Sequence, residues 1–242
     1  MARILITGSS DGLGKLAAEK LIREGHQVVL HARNSARSKE ITYQVKGAES
    51  VLIADLAQLE EVKNLALEAN KLGKFDSIIH NAGVLNSDSK TIFNVNVLAP
   101  FVLSALIEKP KRLVYLSSGM HFGGKPISKL EDIGKINYSD SKLLITTMMK
   151  AIARHFPDTY SNAVDPGWVP TKMGGKNAPD DLQKGIETQV WLATSKEKSA
   201  KVSGLYFRHQ KALSPHPAVL DEDFQNHLIQ LCEEVSGVNL LP

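Results

Sequence analysis

Arg3-Ile4-Leu5-Ile6-Thr7-Gly8-Ser9-Ser10-Asp11-Gly12-Leu13-Gly14 stands at the start of the chain and decides how the rest is read. A short aliphatic run, the signature of a buried strand, gives way at once to a glycine-rich turn, and a helical pattern follows near 13–24. Glycine at such a junction makes the tight turn, lets the backbone approach a ligand, and packs helix against strand. The helix beyond it offers unpaired N–H groups and the positive end of its dipole, which suit phosphate. Together these features predict a dinucleotide site, although the spacing is Gly-x-x-x-Gly-x-Gly and not the more familiar Gly-x-Gly-x-x-Gly.

Outward from that turn, β-branched runs alternate with amphipathic stretches. Strands are predicted at Arg3–Thr7, Gln27–His31, Ser50–Ala54, Ser77–His80, Arg112–Ser117, Ser161–Val164 and Leu205–Arg208. Helices are predicted near 13–24, 58–72, 89–108, 138–155 and 180–194, with a weaker one near 221–235. Leu59, Val62, Leu65, Ala66 and Ala69 form the clearest core-facing stripe. The rhythm predicts an α/β, doubly wound, seven-stranded parallel sheet with helices on both faces: a single-domain Rossmann fold filling 1–242, with a substrate loop at about 171–200. In such a sheet ligands sit outside the carboxyl ends of the strands, where Gly119–Pro126 and the segment from Asp165 also fall.

Composition narrows the function classes. A chain of 242 residues buries roughly 70–75% of its unfolded surface and needs no covalent staple. With 43% hydrophobic and 23% charged residues it reads as an ordinary globular chain, which excludes whole-chain disorder and coiled coil. The single cysteine, Cys232, precludes an internal disulfide and points to a reducing, cytoplasmic compartment. Eight histidines show no metal-ligand spacing, so no metal is expected. A net charge of +3 is too small to indicate nucleic acid as a partner. As it stands, the N-terminus has no secretory h-region, and no run of 18 apolar residues suggests a membrane span. The irregular stretch Ala212–Pro217 suits either an arm over the pocket or a subunit contact in a homo-oligomer.

The second strand ends His31-Ala32-Arg33-Asn34, where an NAD-binding chain would carry a carboxylate for the ribose hydroxyl. Its absence, together with Arg33, favours the 2′-phosphate of NADP over NAD. Asp11 adds no positive charge where a basic residue would help NADP. Tyr138 and Lys142 lie at i and i+4 on one helix face. An ammonium about 5 Å from a phenol at an effective dielectric near 20 is worth roughly 3 kcal/mol, so Lys142 is expected to lower the Tyr138 pKa by about 2 units. Ser117-Ser118 at the end of the fifth strand offers a hydroxyl to a carbonyl oxygen.

Seven motifs in order resemble the short-chain dehydrogenase/reductase family, classical type: Thr7–Gly14, Asp55-Leu56, His80-Asn81-Ala82-Gly83, Asn94-Val95-Asn96, Ser117-Ser118, Tyr138-x-x-x-Lys142 and Pro166–Thr171. His121 and the long gap before Tyr138 look most like the retinol-dehydrogenase-like branch. The resemblance implies an NADP(H)-dependent oxidoreductase interconverting a small-molecule carbonyl and an alcohol. Tyr138 would be the general acid, Lys142 its partner and ribose contact, Ser118 (with Ser117 as fallback) the carbonyl-orienting group, and Asn96 the fourth member, supporting a proton relay. Gly8, Ser10, Asp11, Gly12, Leu13, Gly14 and Arg33 would hold the cofactor at the first turn and second strand. Asp55 and Leu56 would meet the adenine, Asn81, Ala82 and Gly83 the adenosine ribose, and Pro166, Val169 and Thr171 the nicotinamide. The alternative is a non-catalytic NADP(H)-binding regulatory protein, which has no reason to keep all four catalytic side chains. A sugar-nucleotide epimerase would need Thr-Gly-x-x-Gly-x-x-Gly and a longer C-terminal part, and neither is present.

Overall fold

Ile4 and Ile6 face one side of the central sheet and Leu5 the other, and all three are fully buried. The same alternation separates Val28 and Leu30 from Val29, and Ile78 from Ile79. Strands buried on both faces read as unbroken apolar runs, which is why short stretches such as Ile4-Leu5-Ile6 are legible as sheet.

A computed structural model of the chain describes residues 1–241. Its elements, in chain order, are β1 (Arg3–Ile6), α1 (Gly12–Arg23), β2 (Gln27–Ala32), α2 (Ser35–Gln44), β3 (Ser50–Ile53), α3 (Leu59–Lys71), β4 (Ser77–His80) and α4 (Ser89–Phe93). After a π-helical turn at Asn94–Leu98 come α5 (Ala99–Leu106), β5 (Arg112–Leu116), α6 (Tyr138–His155), β6 (Tyr160–Asp165), α7 (Leu182–Thr194), β7 (Leu205–Arg208), β8 (Lys211–Leu213) and α8 (Glu222–Ser236). The sheet order is β3-β2-β1-β4-β5-β6-β7-β8. All pairs are parallel except β7–β8, a hairpin in which Tyr206 faces Leu213. The chain reverses its direction of travel across the sheet between β1 and β4, and the crevice outside their carboxyl ends is the cleft described below. One core layer includes residues of α3, α5, α6 and α8; the other includes residues of α1 and α7.

Four features differ from expectation. The sheet has an eighth strand, β8, whose three residues are all exposed and carry no apolar period. Helix α2 was not foreseen, because Ile41 is its only buried residue and no stripe marks it. The predicted helix 89–108 is broken by the π turn into α4 and α5. Helix α7 occupies 182–194, so the loop after β6 spans 166–181 rather than reaching 200. The helical run Ser89–Leu106 has a mean hydropathy of 1.3, long and apolar enough by composition to cross a membrane, yet 67% of it is buried and α5 packs on α3 as a core helix.

Candidate active site

A cleft of about 620 Å³ lies at the crevice between β1 and β4. Its floor is the first turn. Gly8 and Gly12 have φ of +62° and +51°, backbone that side-chain-bearing residues rarely adopt. A Cβ on Gly8 would meet Ala82 Cα at 2.7 Å, and one on Gly14 would meet Asn81 Nδ2 at 2.4 Å and Gly8 O at 2.5 Å. The turn and the His80–Gly83 segment are therefore pressed together. Asn81 pins them by donating to the carbonyls of Thr7 (3.0 Å) and Gly8 (3.1 Å). Gly14→Ala is expected to destabilise the fold by roughly 1–3 kcal/mol and to weaken dinucleotide binding. Urea unfolding and a binding titration check both.

His31 supports the turn from beneath, a role the sequence does not announce. Its Nδ1 accepts from Gly8 N–H at 3.0 Å and its Nε2–H donates to Ala54 O at 3.0 Å, which assigns the neutral Nε2–H tautomer. Burial lowers its pKa to about 4. Ser9 Oγ accepts from His31 N–H at 2.8 Å and completes the clasp.

At the outer end of the cleft, Arg33 is exposed and its guanidinium has no partner among the described residues. Two further cations, Arg37 and Lys172, stand there unanticipated. Arg37 lies on the unforeseen α2 and donates to Ser10 O (3.1 Å) and Asp11 Oδ2 (3.2 Å). Lys172 reaches Asp11 Oδ2 at 2.6 Å. Burial works to raise the Asp11 carboxyl, but Lys172, the Gly12 N–H and Arg37 outweigh it and hold the pKa below the usual range. The negative charge at Asp11, read from the sequence as unhelpful to a 2′-phosphate, is thus neutralised in place.

At the inner end, Asn137 caps α6 in a reciprocal capping box with Asp140. Tyr138 thus opens the helix, and Lys142 lies one turn inside. Lys142 Nζ sits 5.3 Å from the centroid of the Tyr138 ring and donates to Leu116 O at 2.7 Å. Burial raises the Tyr138 pKa to about 12, with a further push from Asp165 and a smaller opposing effect from the Ser118 contact. Burial lowers the Lys142 pKa to about 8. Burial thus moves Tyr138 in the direction opposite to the lowering expected from Lys142.

Ser117 lines the cleft, with Oγ tied to Thr146 Oγ1 at 2.6 Å; Ser118 lies just outside the lining, where its Oγ accepts from Met120 N–H at 3.1 Å and stands beside the Tyr138 phenol. Asn96 lies in the π turn, a distortion frequent at functional sites. Its Oδ1 accepts from Val84 N–H at 2.8 Å, and its Nδ2 donates to Val84 O and Ser141 Oγ, both at 2.9 Å. Asn96 Oδ1 and Lys142 Nζ both border the space beside Gly83.

Most of the residues predicted to meet a cofactor line this one cleft: Gly8, Ser10, Asp11, Gly12, Leu13, Arg33, Asp55, Leu56, Asn81, Ala82, Gly83, Tyr138, Lys142, Pro166 and Thr171. Gly14 lies behind the turn. Val169 is 5% exposed, packs its side chain towards Gly185 and does not line the cleft. A second cavity of about 690 Å³, lined in part by Leu85, Ile92, Met120 and Ile136, adjoins the first. Tyr138 and Ser87 line both.

The short chain dehydrogenase family model matches residues 2–182. This chain belongs to the short-chain dehydrogenase/reductase family. The short-chain dehydrogenases chry4 of Gibberella zeae and chyC of Penicillium rubens are each 40% identical to it, over 99% of this chain and of theirs. Retinol dehydrogenase 14 of Mus musculus is 28% identical over 97% of this chain and 86% of its own, so the likeness to the retinol branch is present but lower. Among solved structures, a Mycobacterium paratuberculosis protein superposes with a TM-score of 0.83 at 20% identity, covering 100% of this chain and 96% of that one. A short chain dehydrogenase of Escherichia coli CFT073 complexed with NADPH gives 0.68 at 26% identity, over 87% of this chain and 97% of that one. As a member of the short-chain dehydrogenase/reductase family, the chain is an oxidoreductase.

Proposed function

We propose that the enzyme interconverts a carbonyl and an alcohol by hydride transfer with NADP(H), using Tyr138 as general acid and base. The observation that carries this reading is the position of Tyr138, where the glycine-floored cleft meets the second cavity. A group at that boundary is in reach of both a cofactor and a substrate.

NADPH, when bound, supplies the hydride. The residues present fit it: Gly8 and Gly12 floor the cleft with backbone alone, and Arg33, Arg37 and Lys172 gather at the end where a 2′-phosphate would lie. Tyr138 then holds the proton destined for the carbonyl oxygen, and Ser118 orients that oxygen. Lys142, held by Leu116 O, carries positive charge beneath the phenol, and Asn96 fixes the adjoining backbone at Val84. A cytoplasmic site of action belongs to the same reading, on the strength of one buried, unpaired cysteine.

The test is NADPH oxidation against a panel of ketones and aldehydes, with NADH in parallel. Turnover with at least one carbonyl is expected, and none across the panel would count against the reading. Arg33→Ala is expected to weaken NADPH binding by about tenfold and leave NADH nearly unchanged, the loss of one charge-assisted hydrogen bond. An unchanged preference would remove Arg33 from the phosphate site.

A further inference from the structure

Ser118 is held from behind by a side chain that touches neither cavity. His121 is fully buried, and its two ring nitrogens are used in opposite senses. Nδ1 lies 2.8 Å from Ser118 O, and Nε2 accepts the backbone N–H of His216 at 3.0 Å. Since Nε2 accepts, the ring proton is on Nδ1 and is donated to Ser118. Burial keeps the His121 pKa below its usual value, so the neutral ring this arrangement needs is the form present.

The ring has little freedom to turn. Its centroid lies 4.6 Å from that of Tyr206 on β7 and 4.1 Å from that of Phe122. Tyr206 is itself 1% exposed and lies beside Asp165, whose Oδ1 accepts from Gly167 N–H at 2.9 Å at the start of the loop after β6. The segment after β8 thus reaches the serine turn through one imidazole, across 95 residues of sequence.

We propose that His121 is a positioning residue for the reaction, fixing the Ser118 peptide and through it the hydroxyl that orients the substrate carbonyl, with the segment around His216 as its anchor. The proposal rests on the reading of Ser118 given above. A buried histidine with satisfied nitrogens is more often part of the packing alone. What separates the two roles is where the loss shows. Packing alone would cost stability and leave turnover per folded molecule unchanged. A displaced orienting group costs kcat, because small misplacements near reacting atoms are expensive.

The experiment compares kcat, KM for the carbonyl, NADPH affinity and melting temperature for three replacements. His121→Phe keeps the stacking and removes both hydrogen bonds. His121→Asn keeps a donor near the Nδ1 position, and His121→Gln keeps an acceptor near the Nε2 position. The expected result for His121→Phe is a fall in kcat of about 10- to 100-fold with NADPH affinity unchanged. His121→Asn should recover most of that loss and His121→Gln little. If His121→Phe does not fold, the contrast between the Asn and Gln variants decides, and equal kcat in those two overturns the proposal. Ser118→Ala is measured alongside. Wild-type kcat in Ser118→Ala defeats the reading of Ser118 and this proposal with it. A crippled Ser118→Ala beside a fully active His121→Phe defeats only the role given to His121.

Discussion

Tyr138→Phe is expected to lower carbonyl reduction by about 10²- to 10⁴-fold, the usual worth of a positioned general acid, while NADPH still binds. The substitution removes one oxygen and keeps the ring that lies over Lys142 Nζ, so the cleft retains its shape. Turnover and a fluorescence titration of NADPH on the same preparation read the two effects separately. Full activity would mean that the proton comes from elsewhere. Loss of binding together with turnover would mean that the phenol mainly holds the nucleotide. The pH dependence carries a second check. A phenol at about 12 keeps its proton throughout the neutral range, so reduction finds the acid already loaded. Alcohol oxidation needs the phenolate. Its rate is expected to climb with pH between about 7 and 10, in wild type but not in Tyr138→Phe.

The reason for that asymmetry also shows what could be read from the sequence. Spacing placed Tyr138 and Lys142 on one helix face, and the structure has them there. Spacing sets how near the two groups lie, whereas the cost of burying both depends on how the β5 end, the serine turn and the loop after β6 close around them. That enclosure is made by residues far apart in the chain. Arg37 and Lys172 were overlooked for a similar reason. One sits on a helix without an apolar stripe and the other in an irregular loop, and only the fold brings both to Asp11. Strands β1, β2, β4 and β5 were legible because they are buried on both faces and read as largely apolar runs, and β3, which is only half-buried, because Val51-Leu52-Ile53 is still aliphatic. The eighth pairs at the edge with every residue exposed, and its sequence Lys211-Ala212-Leu213 leaves no such trace. The π turn at Asn94–Leu98 leaves no signature in residue type, because it shifts hydrogen bonds by one position without changing which residues are apolar.

Acid is expected to unfold the protein from near pH 5, with His31 and His80 responsible for much of the effect. Both imidazoles are buried neutral, with pKa values lowered by burial to about 4 and about 3. In the unfolded chain each titrates near 6.5. Above that pH neither state binds the proton and the full stability is present. As pH falls below it, the unfolded chain takes up protons that the folded chain refuses, so stability declines until the folded pKa is reached. Each histidine contributes about 1.4 kcal/mol per pH unit in that window, roughly 3 kcal/mol per unit for the pair. Against a total stability of about 5–15 kcal/mol, two units of acidification consume much of the margin. The two sites differ in how they can be relieved. His31 holds the glycine turn through Nδ1 and Ala54 O through Nε2–H, so a replacement must supply both an acceptor and a donor. His80 stacks on Tyr115 at 4.8 Å, uses only Nε2, at 3.2 Å from Ser104 Oγ, and leaves its buried Nδ1 without a partner. Ser104 keeps Tyr115 Oη at 2.8 Å if the imidazole is removed. His80→Phe should therefore preserve the stack, discard the unpaired nitrogen and halve the acid slope. Urea unfolding at pH 7, 6 and 5 measures it. A stability that stays level from pH 6.5 to 5 in wild type would show that these rings are not held neutral by the fold.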